Sequence, residues 1–339
     1  MLARSRKLHL GDSELTSPLL VPAVSSKGFP LVNGLTEAGL VLTLVSPDMT
    51  EALLISAYDL HHQLLPEYDE FLGPNHYQTV YGTASLIVVD SGGYELSNTF
   101  EGGDLHKGPW QPQPFDRPDY EAVVERLPSR NLLVVTYDRP DVDRPGYEEQ
   151  RKVAQQFATA RPELKIDFLL KPPAGKRFIV PSQLAPEVAN LRNFDVIGVT
   201  EKELGDSLME RLLCLARLRR LLDTSECAQV PLHIFGGLDP LLTPLYFLAG
   251  GEIFDGLSWL RYAYHDDVAL HREELAVLTA AVDAPEVRRD ALRHISNLQQ
   301  LRRFKHALER WSNEPKRYEL LGRHHEKIRE IHELLQARL

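Results

Sequence analysis

"LIVVDSGGYELS", residues 86–97, decides how the rest of the chain is read. Four aliphatic residues run directly into Asp90, and Ser91, Gly92 and Gly93 follow before Tyr94. A continuous apolar run of this kind suits a parallel strand covered on both faces. The carboxylate closes the strand, and the paired glycines let the backbone turn with φ > 0 or approach a flat ligand closely.

Working outward, similar runs recur. They are "LLVPAVSS" (19–26), "EALLISAYDL" (51–60), "SLIVVDSGG" (85–93) itself and "NLLVVTYD" (131–138). "RFIVPSQ" (177–183), "FDVIGVTE" (194–201), "VPLHIFGG" (230–237) and "GEIFDGLSW" (251–259) complete the set. Apolar residues at helical spacing fill "EKELGDSLMERLLCLARLRRLLD" (201–223), and "LTPLYFLAG" (242–250) has an early Pro and a final Gly. Eight βα-like units predict an α/β fold, a (β/α)8 TIM barrel over residues 1–284 with an N-terminal β extension. Residues 285–339 are expected to form a helical C-terminal extension packed on it. Segment 27–50 is less regular, with "GLVLTLVSP" (39–47) as a candidate extra strand. In such a barrel chemistry gathers at the C-terminal ends of the strands. Asp90, Asp138, Gln183, Gly198, Gly236, Gly237 and Asp255 all fall at that level. Singly, Asp and Gly are good turn formers; their recurrence at one level is what points to a site.

The chain has 339 residues, 43% hydrophobic and 25% charged, ample for a substantial core. Cys214 and Cys227 are its two cysteines, which excludes a disulfide framework and a Cys-rich zinc site. The N-terminus is basic without a signal-like apolar segment, and no run approaches a membrane span, so a soluble cytoplasmic protein with no membrane partner is expected. The net charge of −10 argues against a generally sticky nucleic-acid binder, but residues 285–339 hold 13 Lys/Arg against 8 Asp/Glu. That local excess reads either as a solvated helix face or as a phosphate-contacting surface on an acidic body.

"VVDSGGYELS" (88–97) resembles the DSGG(F/Y)Q segment of tRNA-guanine transglycosylases, and "HIFGGLDPLLTPLYFLAGGEIFDGLSWLR" (233–261) is similar to that family's later block. "ISAYDLHH" (55–62), "TYDRP" (136–140) and "FDVIGVTEKELGDS" (194–207) match further segments, so the resemblance spans roughly residues 15–310. It implies a (β/α)8 barrel that exchanges guanine in tRNA or DNA for a 7-deazaguanine base through a retaining double displacement. By motif match Asp255 takes the nucleophile position and Asp90 that of the general acid/base. The implied base pocket holds Asp138, Ser91, Gly92, Gly93, Gln183, Gly198, Val199, Thr200, Gly236 and Gly237, with Tyr94 stacking on the base. Arg261 is the implied phosphate contact, and Arg302 and Arg303 extend it on the C-terminal helix. The plainer roles are a core aromatic for Tyr94 and a surface ion pair for Arg261.

The departures are informative. The family's zinc ligands have no counterpart here, because both cysteines precede Asp255, so no metal and no cofactor is expected. His265, Asp266, Asp267 and His271 read as a polar loop entering a helix. Glu95 stands where the family has Gln, Val199 where it has Gly, and Trp259 where it has Pro; either Glu201 or Glu203 answers to a family Glu. In "RRDALRHISNLQQLRRFKHALERW" (288–311), Leu292, Ile295, Leu298 and Leu301 are expected to pack on the barrel, while Arg289, Arg293, Arg302, Arg303 and Lys305 form the opposite, basic face. The last helix reads as a hairpin partner or an oligomer contact, in a homodimer or with a partner subunit. Two other function classes stand beside transglycosylation: a non-catalytic subunit that binds a deazaguanine or nucleic acid, and a nucleoside or base hydrolase.

Overall fold

The computed structural model describes residues 2–10, 14–32, 35–65, 81, 84–97, 110–127 and 131–339. Its centre is one parallel sheet of eight strands. In chain order they are β1 (Leu19–Pro22), β2 (Ala52–Ser56), β3 (Leu86–Asp90), β4 (Leu132–Val135), β5 (Lys165–Leu170), β6 (Val196–Thr200), β7 (Leu232–Phe235) and β8 (Ile253–Gly256). Each pairs with its sequence neighbour from β2 to β8, and β8 pairs with β1. The remaining gap, between β1 and β2, is bridged at Ala23 and Leu54, where the Val24 amide donates to the Leu54 carbonyl at 2.9 Å. The sheet therefore curls into a nearly closed barrel.

Alternation along the strands supplies two cores. Leu19, Val21, Ala52, Leu54, Leu86, Val88, Leu133 and Val135 fill the barrel interior with Leu169, Val196 and Ile253. Their neighbours Leu20, Leu53, Ile55, Ile87, Val89 and Val134 join the larger core beneath the helices. Burial on both faces is why these strands read as unbroken apolar runs.

The covering helices are α1 (Glu37–Val45), α2 (Arg117–Arg126), α3 (Tyr147–Ala160), α4 (Leu208–Asp223) and α5 (Thr243–Leu248), followed by α6 (Glu286–Asn313) and α7 (His325–Arg338). Capping boxes start two of them, Asp116 with Asp119 for α2 and Ser207 with Glu210 for α4. An antiparallel ribbon, Lys7–Leu8 with Leu15–Thr16, precedes β1 and forms the N-terminal β extension.

Two expectations are corrected. Residues 39–47 are not a strand: Thr36 caps α1 by accepting from the Gly39 amide at 3.1 Å, and Ala38, Leu42 and Val45 face inward at helical spacing. The fifth strand is also not "RFIVPSQ"; Pro181 opens a short helix, Pro181–Leu184, and β5 lies earlier, at Lys165–Leu170. Lys165 and Asp167 interrupt the apolar run there, which is why it does not read as a buried strand.

The C-terminal helices pack on the barrel, with Leu298, Leu301, Leu308, Trp311, Ile328 and Leu335 in the same core as the outward strand residues. The upper half of α6 is turned from its expected phase. Leu292 and Ile295 are exposed, at 58% and 37%, while Arg293, His294 and Asn297 are buried. Asn297 donates to the carbonyls of Trp259 and Tyr262 at 2.7 and 2.8 Å and accepts from the Tyr264 amide at 2.8 Å. Arg293 donates to the carbonyls of Leu260 and Tyr262, both at 3.1 Å. The chain after β8 thus finds its hydrogen-bond partners on α6, and this sets the helix rotation. Residues 263–270 form a hairpin turning at Asp266 and Asp267, both with positive φ, and His271 caps the helix Arg272–Leu278. This is the polar loop entering a helix that the sequence leads one to expect.

Candidate active site

β3 ends at Asp90, and the turn after it depends on its glycines. Gly92 has φ +89°, and a Cβ there would stand 2.8 Å from the Tyr58 Cβ. Its amide donates to the Asp90 carboxylate at 3.1 Å. A Cβ on Gly93 would meet the Asp138 carboxylate at 2.6 Å, so Gly93 is what lets Asp138 lie close to the turn. The buried Ser91 hydroxyl accepts from the Asp138 amide at 3.2 Å. Ser91, Gly92 and Gly93 therefore hold the two carboxylates in place.

Burial, then the nearby Glu95, with smaller contributions from Asp255 and Asp138, pushes the Asp90 carboxyl up to about 7 against the pull of the Gly92 amide. Glu95 is itself buried and accepts from the hydroxyls of Ser25 and Ser56. Asp59 lies in the same group, accepting from the Ser26 amide at 3.0 Å, and burial followed by Glu95 raises it well above the carboxylate range. Three carboxyls thus crowd the ends of β2 and β3, a setting that favours protons on some of them.

Asp255, on β8, is 6% exposed. Its Oδ1 accepts from the Gly236 amide at 3.2 Å and lies 3.2 Å from His233 Nε2. The other ring nitrogen of His233 meets Asp167 Oδ2 at 2.7 Å. His233 and Asp167 are both fully buried inside the barrel. Burial alone would lower the imidazole, but its bonds to Asp167 and Asp255 outweigh this and push it up to about 9. A chain Asp167–His233–Asp255 therefore runs through the barrel to the end of β8, and burial raises the Asp167 carboxyl against the pull of its bond to His233.

Several residues expected to line a base pocket have other work. Gly198 and Val199 lie inside β6, paired to β5 on one side and β7 on the other, so their backbone belongs to the ladder. A Cβ on Gly198 would stand 2.5 Å from the Phe235 ring and 2.6 Å from Asp167 Oδ1. The glycine makes room for the buried chain, not for a base edge. Gly236, at φ +79°, turns the chain so that its amide reaches Asp255, and Gly237 packs on Ile234. Gln183 sits exposed on the short helix Pro181–Leu184; the end of β5 is followed instead by Lys171.

Lys171 organises the opposite wall. Its ammonium lies 3.0 Å from Asp138, 3.1 Å from Glu203 and 3.0 Å from the Thr200 hydroxyl. Arg144 bridges the same two carboxylates at 3.1 and 3.0 Å. Asp138 is therefore part of a two-by-two ion cluster. The two Glu candidates separate cleanly. Glu203 belongs to this cluster, whereas Glu201 accepts from the Tyr246 hydroxyl at 2.9 Å and lies under Gly236, near Asp255. Burial raises Glu201 above its usual range, with Asp239 and Asp255 adding to the shift.

Arg261 donates to the Tyr94 hydroxyl at 2.8 Å, and the Lys27 ammonium stands 4.3 Å from the centre of the Tyr94 ring. Tyr94 is thus a half-buried ring with cations around it. Arg302 bonds to Asp48, which precedes β2, and Arg303 is exposed on the adjoining turn of α6, so both lie towards the N-terminal ends of the strands, away from Asp90 and Asp255. The remaining cations of that helix face are engaged as well: Arg289 with Glu273 at 3.1 Å, Arg293 with Asp290 at 3.3 Å, Lys305 with Glu51. Four of the five cations expected on the basic face of α6 thus lie in ion pairs, and Arg303 is exposed.

Lys27, Asp59, Asp167, Lys171 and His233 escape notice in the sequence. The signal for His233 and Asp167 was there: each is a polar residue flanked by apolar ones inside a strand, at an inward position. No family model matches the chain, and no curated protein matches it.

Proposed function

We propose that the chain is a nucleic-acid guanine transglycosylase, replacing guanine in tRNA or DNA with a 7-deazaguanine base. The observation that carries this reading is the contrast between two carboxylates at the C-terminal ends of the strands. The Asp90 carboxyl is pushed up to about 7, while Asp255 Oδ1 accepts from the Gly236 amide and lies 3.2 Å from the His233 imidazole. Two carboxyls in such different settings can divide acid and nucleophile between them.

In the reaction Asp255 Oδ2 attacks C1′ of the target nucleotide as the C1′–N9 bond breaks. Asp90 gives its proton to the departing guanine. The incoming base returns a proton to Asp90, its nitrogen attacks C1′, and Asp255 leaves as a carboxylate. The target nucleotide must be unstacked to reach these groups. The Lys171, Arg144, Asp138 and Thr200 cluster is the candidate polar wall for the base, and Arg261 beside Tyr94 is the candidate contact for the polynucleotide.

The test is incorporation of labelled guanine into bulk tRNA and into DNA in parallel, with wild type and Asp255→Asn. Label in one polymer, lost in the variant, is the expected outcome and names the polymer. Label in neither, with tight binding of a free deazaguanine, would replace this reading by the binding-subunit one. Release of free base from a nucleoside without exchange would replace it by the hydrolase one.

A further inference from the structure

We propose that His233 and Asp167 are positioning residues for the nucleophile, a buried relay that anchors one oxygen of Asp255 and aims its free oxygen at the sugar. The inference rests on the transglycosylase reading and adds two residues to that site.

The geometry carries it. His233 Nδ1 is tied to Asp167 at 2.7 Å and Nε2 faces Asp255 Oδ1 at 3.2 Å, with all three side chains inside the barrel. Consider the alternatives for the ring. A neutral imidazole that donates to Asp167 through Nδ1 would turn the Nε2 lone pair on Asp255. That contact would be repulsive unless Asp255 held a proton, and a protonated carboxyl is no nucleophile. The other neutral tautomer, with its proton on Nε2, would need a proton on Asp167, which burial favours and the bond to His233 opposes; an imidazolium serves both carboxylates at once without one. The raised imidazole agrees with this.

The second donor completes the device. Gly236 N donates to the same Oδ1 at 3.2 Å, so a backbone hydrogen bond and the ion-pair contact with Nε2, which is not aligned as a hydrogen bond, meet on one oxygen of Asp255. Oδ2 has no hydrogen-bond partner among the described residues, and it is the atom left to attack C1′. When the ester to C1′ forms, Oδ1 becomes its carbonyl oxygen and keeps both contacts. When the incoming base displaces Asp255, the same two groups receive the returning negative charge. The molecule also makes structural room for this arrangement: Gly198 is the position at which any side chain would collide with Asp167. The Phe235 ring lies 4.0 Å from the His233 ring and closes it from the barrel mouth.

Two measurements on the full chain test it separately from the function. The first needs no turnover: ring-nitrogen NMR of His233 with imidazole-labelled protein. Wild type should show both nitrogens protonated at pH 7, and Asp167→Asn should convert the ring to a neutral tautomer at that pH. A neutral His233 in folded wild type would overturn the proposal. The second is kinetic. His233→Gln should lower kcat for base exchange by about 100-fold with KM little changed, the size of effect seen on removing one preorganised donor. His233→Ala should regain part of the lost rate with added imidazole. A folded His233→Gln chain that keeps kcat within about threefold of wild type would sink the relay while leaving transglycosylation intact. Failure of wild type to exchange bases would sink the functional reading, and the NMR result would still decide whether the relay exists.

Discussion

Asp90 keeps a proton that an ordinary aspartic acid loses, because burial and Glu95 push its carboxyl from 3.8 up to about 7. Between those values the folded chain binds a proton that the unfolded chain releases. Its contribution to stability is therefore greatest below the unfolded value and is lost as pH rises through about 7. Asp90→Asn removes that cost, at most on the order of 4 kcal/mol at pH 8. The expected outcome is a variant with a higher Tm than wild type at pH 8, the difference shrinking toward pH 4, and no exchange activity. Equal changes in Tm at both pH values would mean that the carboxyl is not raised. For wild type the same proton sets a direction for catalysis: departure of guanine should slow as pH rises through about 7, as Asp90 loses its acid form.

Helix α6 shows how a single element can follow its partners more closely than its own pattern. Asn297 makes three hydrogen bonds to the chain after β8, and its truncation takes the side-chain partner from the Trp259 carbonyl and the Tyr264 amide, while the Tyr262 carbonyl keeps Arg293. Asn297→Ala should cost about 2–3 kcal/mol, whereas Leu292→Ala, at an exposed position, should stay within about 0.5 kcal/mol. The midpoints of urea unfolding distinguish the two, and the reverse order would put the helix in the phase its apolar residues suggest. The same contrast explains what could be read from sequence. Seven of the barrel strands were legible because each lies in a near-continuous apolar run. β5 was not, because its inward Asp167 is matched by a His on another strand, a pairing that sequence does not display. Asp90 and Asp255 were legible at strand ends through their glycine turns. The roles of Gly198 and Gly236 were not, since whether a glycine meets a ligand or a neighbouring side chain depends on what fills the space beside it.

At the scale of the molecule the two ends of the barrel divide the work. At the N-terminal end Arg6 and the fully buried Arg219 both reach Glu252, ahead of β8, and Arg4 pairs with Asp223, so the N-terminal segment is fastened to α4. Arg302 and Lys305 add pairs with Asp48 and Glu51 at this end. Breaking buried pairs of this kind is costly because it strands a charge, which fits a stabilising end. At the C-terminal end the carboxylates crowd together, with raised proton affinities at Asp59, Asp90 and Glu201. This is the end at which barrels carry their chemistry. The basic excess of the C-terminal extension does not alter that division, since most of its cations along α6 are engaged internally. In the proposed reaction Asp255 becomes covalently linked to the sugar. The most direct measurement is therefore mass spectrometry of the chain quenched by acid during exchange with an oligonucleotide of the polymer it labels. The expected result is a nucleic-acid adduct on the peptide containing Asp255, absent in Asp255→Asn and accumulating when no incoming base is supplied. Exchange that proceeds with no adduct, or with an adduct on another residue, would contradict it.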